Sequence, residues 1–252
     1  MKKVVAILSA FGLILALSAC SNKPDAGKNS VILGVKQESG QAENKIKSGN
    51  ILIAYFTRMD NTNATLDELV QGGGPYGSLG DSFDEADLDA VSSASIAVVD
   101  GEAQGNVKTM AKMIQNKTGG ELFSIQVAQG YPTGYDELID QGGMEKEQSL
   151  RPELSNHVEN MEDYGIVFLG YPNWWYDMTM PVYSFLEEYD FSGKTIIPFA
   201  SSAGSGFSET ISELQEALPD AEVIENGLHI PMSAVPQGQE QVENWLKEIG
   251  IQ

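Results

Sequence analysis

The sequence predicts one α/β domain built on a doubly wound parallel sheet, and three observations indicate this fold class. Short apolar runs of strand length alternate with amphipathic stretches of helix length from about residue 49 onward. Five such runs occur, each separated from the next by enough chain for a crossover connection. Residues 49–252 are enough for one buried core and short for two. This alternation is typical of a parallel sheet with helices on both faces.

The predicted elements follow in order along the chain. Strands are predicted at 51–56, 122–127, 166–170, 194–200 and within 221–230. Helices are predicted at 105–117, 179–189, 206–218 and 239–249. In the first helix, Val107, Met110 and Ile114 share one face, and the pair Gly119-Gly120 ends it. Sheets of this kind bind ligands outside the carboxyl ends of their strands, so the loops at that edge are the candidate site.

Residues 59–104 interrupt the alternation between the first strand and its helix. A connection of this length is typical of a functional or mobile segment. Residues 96–99 are a candidate short strand before the turn Asp100-Gly101. A cluster of acids in this insertion lacks the ordered spacing of an EF-hand loop, so we expect a solvated surface segment and no metal site; its members are Asp81, Asp84, Glu85, Asp87 and Asp89.

The amino terminus predicts export and lipid attachment. Lys2 and Lys3 precede an apolar run over residues 4–17, which is short for a membrane span and typical of a signal peptide. The phrase ending in Cys20, Leu17-Ser18-Ala19-Cys20, resembles the bacterial lipobox. That resemblance implies removal of residues 1–19 and acylation of Cys20, with an ordinary secretory signal as the alternative. Residues 20–48 are polar and are expected to form a flexible tether to the domain at 49–252.

The charge and the cysteine count limit the possible binding partners and crosslinks of the chain. The chain carries 36 Asp and Glu against 15 Lys and Arg, which disfavours a nucleic-acid partner. An acidic surface suits docking of a basic redox partner, and simple solubility explains it equally well. Cys20 is the single cysteine, so no intramolecular disulfide can form.

The loop after the first strand and the start of the first helix suit a phosphate. A hydroxyl, a guanidinium and the backbone N–H groups of a helix N-terminus together bind anions. The residues that offer them are Thr57, Arg58, Gly105, Asn106 and Val107. Asn61 offers a competing register for the same motif. That register would place the carboxylate of Asp60 close to the phosphate, so we prefer Asn106.

Two further loops at strand ends suit a flat aromatic ring. The loop after the third strand carries Pro172, Asn173, Trp174 and Trp175. Adjacent tryptophans in a loop cannot both face the core, so at least one is expected near the surface. The loop after the fourth strand carries Ser201, Ser202, Gly204, Ser205 and Gly206, whose small size lets the backbone approach a planar ligand. With the phosphate loop, these features predict a flavin site.

Together the stretches 51–58, 105–106, 168–175, 185–199 and 204–207 resemble the flavodoxin family, in particular its larger branch with a Tyr-Pro-x-Trp-Trp loop. The resemblance covers about residues 50–250 and implies a five-stranded parallel sheet of order 2-1-3-4-5 with FMN as cofactor. It implies phosphate contacts from Thr57, Arg58, Asn106 and Val107, with ring contacts from the two loops just described. The sequence departs from the family in the insertion and at Val107, where threonine is frequent.

The expected function is electron transfer by bound FMN on the outer face of the membrane. One alternative is an FMN-dependent oxidoreductase acting between NAD(P)H and a quinone. A second is a non-enzymatic lipoprotein that binds another ligand in the same pocket. No Ser/His/Asp set, paired acids or metal-ligand spacing stands out, so no catalytic or metal-binding side chain is predicted.

Overall fold

The computed structural model describes residues 50–62, 96–99, 102–132 and 134–251, all of which belong to a unit that spans residues 44–252. The predicted signal peptide, Cys20, the tether and the acids at 81–89 lie outside the described residues. No helix in the described ranges is long and apolar enough to span a membrane.

The strands in chain order are β1 (Asn50–Phe56), β2 (Ile96–Val99), β3 (Glu102–Gly105), β4 (Glu121–Ile125), β5 (Tyr164–Pro172), β6 (Thr195–Ser202), β7 (Glu222–Val223) and β8 (Leu228–Pro231). Six of them form a parallel sheet with the order β4-β1-β5-β6-β7, and β8 also pairs with β6. The predicted order 2-1-3-4-5 is confirmed. Its fifth position is divided between β7 and β8, which lie one after the other along β6.

The helices in chain order are α1 (Asn106–Thr118), α2 (Tyr135–Glu147), α3 (Met180–Glu188), α4 (Thr210–Ala217) and α5 (Gln239–Glu248). A cluster on one face of the sheet includes Leu138 of α2 and Phe185 of α3. A second cluster includes Met110 of α1 and Trp245 of α5. Because successive strand residues point to opposite faces, each buried strand supplies both clusters, as Ala54 and Tyr55 of β1 do.

The helix α2 is absent from the sequence prediction, because its centre carries the glycine pair Gly142-Gly143 and glycine disfavours helix. The pair lies against the two tryptophans. A Cβ built on Gly143 would lie 3.3 Å from the Trp175 indole, and one built on Gly142 would lie 3.4 Å from Trp174. The glycines therefore allow a close approach of the helix to the tryptophans.

The predicted short strand at 96–99 is confirmed as β2, which pairs with β3 in an antiparallel hairpin. The strand β3 ends at Gly105, and α1 begins at the next residue. Residues 63–95 and 100–101 of the predicted insertion lie outside the described residues.

Candidate functional site

The end of β1 and the start of α1 meet despite the long segment between them. Thr57 follows β1 directly, and a Cβ built on Gly105 would overlap the Thr57 hydroxyl. Only glycine fits at this approach without a shift of Thr57. The structure therefore brings Thr57, Gly105 and Asn106 together, and with Arg58 these residues are called the anion cradle below.

The cradle holds buried polar atoms that have no hydrogen-bond partner within the described part of the chain. These are Oγ1 of Thr57 and both side-chain polar atoms of Asn106, and both residues are fully buried. An unpaired buried polar group costs about 1–3 kcal/mol, and native proteins rarely leave several together. The cluster is therefore suited to a polar ligand that supplies the missing hydrogen bonds.

Arg58 places a buried positive charge in the cradle. Its side chain is 1% exposed, and Nη2 donates a hydrogen bond of 3.0 Å to the carbonyl of Pro132. Burial lowers the pKa of Arg58 to about 10, so the guanidinium still carries its charge at neutral pH. A buried cation beside unpaired donors favours an anionic ligand.

In the competing register, Asn61 would bind the phosphate, but both of its side-chain polar atoms are already hydrogen-bonded within the protein. Nδ2 of Asn61 donates to the carbonyls of Thr57 and Ile125 at 2.9 Å each, and Oδ1 accepts the N–H of Val127 at 2.8 Å. These bonds join the end of β1 to the end of β4. Asn61 therefore has a structural role, while the side chain of Asn106 remains available for a ligand.

Asp60 is engaged away from the cradle. Its carboxylate accepts hydrogen bonds of 2.7 Å from Lys108 and from Ser124, and one of 3.4 Å from the hydroxyl of Tyr55. Burial, reinforced by the charge of Asp60, raises the pKa of Tyr55 to about 12. The ion pair with Lys108 offsets the negative charge of Asp60.

Val107 contributes no side-chain atom to the cradle. Its side chain is fully buried in the same core cluster as Met110 and Ile114. Any contact of Val107 with an anion therefore has to come from its backbone N–H, as the sequence departure from threonine implies.

The loop of residues 173–179, called the tryptophan loop, is tied to the end of β6. Pro172 lies opposite Ser201 in the sheet register, and Asn173 donates its backbone N–H to the Ser201 carbonyl at 3.0 Å. Nδ2 of Asn173 donates to the Gly206 carbonyl at 2.9 Å and to the Ser208 hydroxyl at 3.1 Å. These bonds hold the second and third predicted loops side by side.

The two tryptophans differ in exposure, as the sequence predicts. Trp174 is 8% exposed, and its ring makes edge contacts with Phe56 and Tyr131 at 5.8 and 5.5 Å between centroids. Trp175 is 50% exposed, has a φ of 55°, and donates its indole N–H to the Ile139 carbonyl at 3.2 Å. Trp174 therefore braces the loop from within, while Trp175 presents an aromatic face to solvent.

The loop of residues 203–209, called the serine loop, is organised by Ser202. Its Oγ accepts the N–H groups of Gly206 at 3.0 Å and Gly204 at 3.3 Å, and lies 2.8 Å from Nε2 of His229. A hydroxyl has two acceptor positions and one proton, so Ser202 donates its proton to a neutral His229. Burial lowers the pKa of His229, in keeping with this neutral form.

The positions beside Ser202 are shaped for close approach of a ligand. Ser201 is fully buried, and its Oγ has no hydrogen-bond partner in the described ranges. Gly204 and Gly206 have φ values of 149° and 62°, which L residues rarely adopt. The Ser205 carbonyl accepts the N–H of Ser208 at 3.3 Å, which closes the turn.

The sequence profile of the flavodoxin family matches residues 82–249, well over half of the chain. The chain belongs to the flavodoxin family. A candidate flavoprotein from Bacteroides eggerthii is 21% identical, with a TM-score of 0.55 over 81% of this chain and 100% of its own. A second, from Bacteroides uniformis, is 22% identical, with a TM-score of 0.55 over 80% and 99% of the two chains. Both likenesses concern the fold. No curated protein is significantly similar to the chain.

Membership of the flavodoxin family supports FMN as the cofactor, and the residues present fit it. A cation and unpaired polar atoms in the anion cradle suit a phosphate. Two loops with buried polar atoms and an accessible backbone suit a polar ring edge. All the predicted site residues in the described part of this flavodoxin-family protein lie at the carboxyl ends of β1, β5 and β6 or at the start of α1.

Two features of the site are absent from the sequence prediction. Thr179 precedes α3 in a position typical of a helix cap, yet its buried Oγ1 makes no capping bond and has no partner in the residues described. His229 reaches Ser202 because β8 pairs with β6, a contact that local sequence does not show. No cluster of His, Cys, Asp or Glu able to hold a metal ion occurs among the described residues.

Proposed function

We propose that this flavodoxin-family protein binds FMN at the carboxyl ends of β1, β5 and β6 and acts in electron transfer. The observation that supports it most directly is the set of buried, unpartnered polar atoms on Thr57, Asn106 and Ser201. They come from separate segments: Thr57 follows β1, Asn106 begins α1 and Ser201 lies near the end of β6. A ligand with polar groups at several points would satisfy them together.

The anion cradle would hold the phosphate of FMN. Arg58 supplies the charge, while the Thr57 hydroxyl and the Asn106 amide supply hydrogen-bond donors. The tryptophan loop and the serine loop would bind the ring between them, with Asn173 Oδ1 and Ser201 Oγ as free polar atoms. When bound, FMN supplies the redox chemistry by accepting and passing on electrons.

The proposal extends to a lipid-anchored protein on the outer face of the cell membrane. It is supported by the lipobox-like phrase ending at Cys20 and by the polar segment that follows it. The redox partner would be a basic protein or a small-molecule acceptor. The chain has 36 acidic residues against 15 basic ones, and this excess of negative charge would attract a basic protein partner.

Titration of the purified full chain with FMN and with riboflavin tests the site. The two ligands share a ring, and only FMN has a phosphate. We expect FMN to bind at micromolar concentration or tighter and riboflavin at least tenfold more weakly. Equal affinity for both ligands would refute the phosphate role of the cradle. Failure of FMN to bind at micromolar concentration would refute the proposed cofactor altogether.

The electron-transfer role has a separate test. Chemically reduced holoprotein is mixed with a basic electron-transfer protein such as a cytochrome c, and reoxidation is followed by absorbance. We expect a rate that falls as salt is added, because attraction between opposite charges is screened. A small quinone serves as the uncharged comparison acceptor. Steady NADH oxidation with the quinone would favour the oxidoreductase alternative.

A further inference from the structure

A tyrosine hydroxyl links one carboxyl group of the tryptophan loop to one carboxyl group on α4. Oη of Tyr183 on α3 lies 2.8 Å from Oδ1 of Asp177 in the loop and 3.0 Å from Oε2 of Glu213 on α4. Asp177 is buried, and Glu213 and Tyr183 are half-buried. The three residues are called the carboxyl bridge.

The number of protons in the bridge follows from these contacts. A tyrosine hydroxyl has one proton and can donate to one carboxylate only. Burial, with Asp177 and Glu213 as neighbours, raises the pKa of Tyr183, so this proton stays on the tyrosine. The second contact would bring together two oxygens without a hydrogen between them, unless one carboxyl group is protonated. The bridge therefore needs a second proton to be stable.

The donors around Asp177 indicate which carboxyl group takes that proton. Oδ1 of Asp177 accepts the backbone N–H of Met178 at 2.7 Å, and Lys146 lies 3.3 Å from Oδ2. Asp177 therefore already accepts from a backbone donor and is paired with a cation. Burial first, and then the neighbouring Asp177, raise the pKa of Glu213 to about 7, against an ordinary value of 4.5. The second proton therefore belongs to Glu213.

Other charged groups face the bridge from the surrounding elements. Lys146 on α2 opposes the rise in the pKa of Glu213, and the Tyr183 hydroxyl also opposes it. The Arg151 guanidinium lies 4.9 Å above the Tyr183 ring and is paired with Glu187 at 2.6 Å. On α4 itself, Glu216 is exposed one turn along from Glu213.

The bridge is attached to the conformation of the tryptophan loop. Trp174 and Asp177 exchange two backbone hydrogen bonds, of 2.9 and 3.0 Å. The two residues between them, Trp175 and Tyr176, have φ values of 55° and 63°, which is unfavourable for bulky side chains. Lys146 also donates to the Trp175 carbonyl at 2.7 Å. The anchoring of Asp177 therefore helps to hold a strained turn.

We propose that Glu213 is a positioning residue of the flavin site: in its protonated form it completes the carboxyl bridge and holds the tryptophan loop, and its ionisation loosens that loop. Ionisation releases the Glu213 proton to solvent and leaves two carboxylates beside one hydroxyl. The consequence for FMN rests on the proposed function, whereas the consequence for the free protein does not.

The sign of the pH dependence follows from the raised pKa of Glu213. Between the ordinary value of 4.5 and about 7, the folded protein binds a proton that the unfolded chain has released. The stabilisation is fully present below that window and is lost as pH rises through about 7. If the tryptophan loop contacts the flavin ring, the affinity for FMN should also fall as pH rises through about 7.

The first test uses the protein without FMN. Carboxyl NMR resonances of the full chain are titrated with pH, and Glu213 is assigned by its loss in Glu213→Gln. The indole N–H of Trp175 reports on the loop. We expect both signals to titrate with a midpoint near 7, and the indole signal to become independent of pH in Glu213→Gln.

The variant Glu216→Gln is the matched control, because it removes the same charge from the exposed side of the same helix. It should keep the indole titration. Tyr183→Phe removes the bridging hydroxyl and leaves Glu213 in place. It should abolish the pH dependence of the Trp175 indole signal, and it provides this test even if Glu213→Gln folds poorly. A Glu213 midpoint near 4.5, or a Trp175 signal that ignores the Glu213 titration, would overturn the proposal.

The second test measures FMN dissociation constants at pH 6 and 8.5. We expect FMN to bind about tenfold more weakly at the higher pH. This corresponds to a rise of about one unit in the pKa of Glu213 when FMN binds. The change should be absent in Glu213→Gln and present in Glu216→Gln. If FMN fails to bind at any pH while the NMR titrations behave as expected, the cofactor proposal fails and the positioning role of Glu213 stands. An unchanged affinity in a protein that binds FMN overturns the role of Glu213 in the flavin site.

Discussion

Replacing Asn106 with alanine separates a ligand-binding residue from a structural one. In the free protein, the change removes an amide whose polar atoms are buried without partners, which relieves about 1–3 kcal/mol. The small cavity left behind costs about 1 kcal/mol, and alanine gains roughly 0.5 kcal/mol in helix propensity. The apoprotein should therefore be about 0.5–2.5 kcal/mol more stable.

Asn61→Ala is expected to have the opposite profile. It breaks hydrogen bonds of 2.9, 2.9 and 2.8 Å to the backbone at Thr57, Ile125 and Val127. At about 1 kcal/mol each, their loss should destabilise the apoprotein by about 3 kcal/mol. Urea unfolding of the apoprotein measures both values, and the exposed Asn116→Ala on the same helix is the control for the change in α1.

FMN affinity completes the comparison. Two hydrogen bonds to a charged phosphate are together worth about 3 kcal/mol, so Asn106→Ala should weaken FMN binding about a hundredfold. Riboflavin binding should change little, because it lacks the phosphate. An Asn106→Ala apoprotein that loses more than about 2 kcal/mol, or one that binds FMN as the unmodified chain does, would refute the assignment of Asn106 to the cradle.

Three further predictions concern the walls of the site. Gly105→Ala should weaken FMN binding at least tenfold and lower apoprotein stability by about 1–3 kcal/mol, since the added Cβ overlaps Thr57; calorimetry measures both. His229→Phe should remove the acid-side pH dependence of FMN affinity, because the proton acceptor for Ser202 is lost; fluorescence titrations below pH 6.5 test this, and an unchanged pH profile contradicts it. Gly143→Ala should shift the emission of the exposed tryptophan, whose ring would lie 3.3 Å from the new methyl group, while an identical spectrum would count against this packing.

The strand pattern was predictable because buried parallel strands are nearly continuous apolar runs, as in β1 and β6. Helix ends were less predictable. The fourth helix begins at Thr210 instead of residue 206, because Gly206 and Ser208 have φ values of 62° and 53° that a right-handed helix does not admit. Nothing in the local composition specifies those dihedral angles.

The site residues were predictable as a set, and their individual tasks were not. Asn61 and Asn106 are both polar residues near the end of β1 or the start of α1. The neighbouring Asp60 favours Asn106 as the phosphate ligand, but the sequence does not show what Asn61 does instead. The difference lies in bonds from Asn61 to residues 64 and 66 positions away. The carboxyl bridge also joins residues far apart in sequence, on the tryptophan loop and on α4, and is visible only after folding.

The two loops that flank the proposed ring site depend on protons in opposite senses. The serine loop requires a neutral His229, because Ser202 has no acceptor position left for a protonated imidazole. Burial lowers the pKa of His229, so this arrangement is complete above the ordinary value of 6.5 and is lost as pH falls below it through the lowered pKa. The tryptophan loop requires a protonated Glu213, whose pKa of about 7 sets the upper limit. Both loops therefore keep these hydrogen bonds together only between mildly acidic and neutral pH. The affinity for FMN should then have a bell-shaped dependence on pH, falling on the acid side as His229 is protonated and on the alkaline side as Glu213 ionises. Glu213→Gln should remove the alkaline limb alone, which distinguishes two local causes from a general loss of folding.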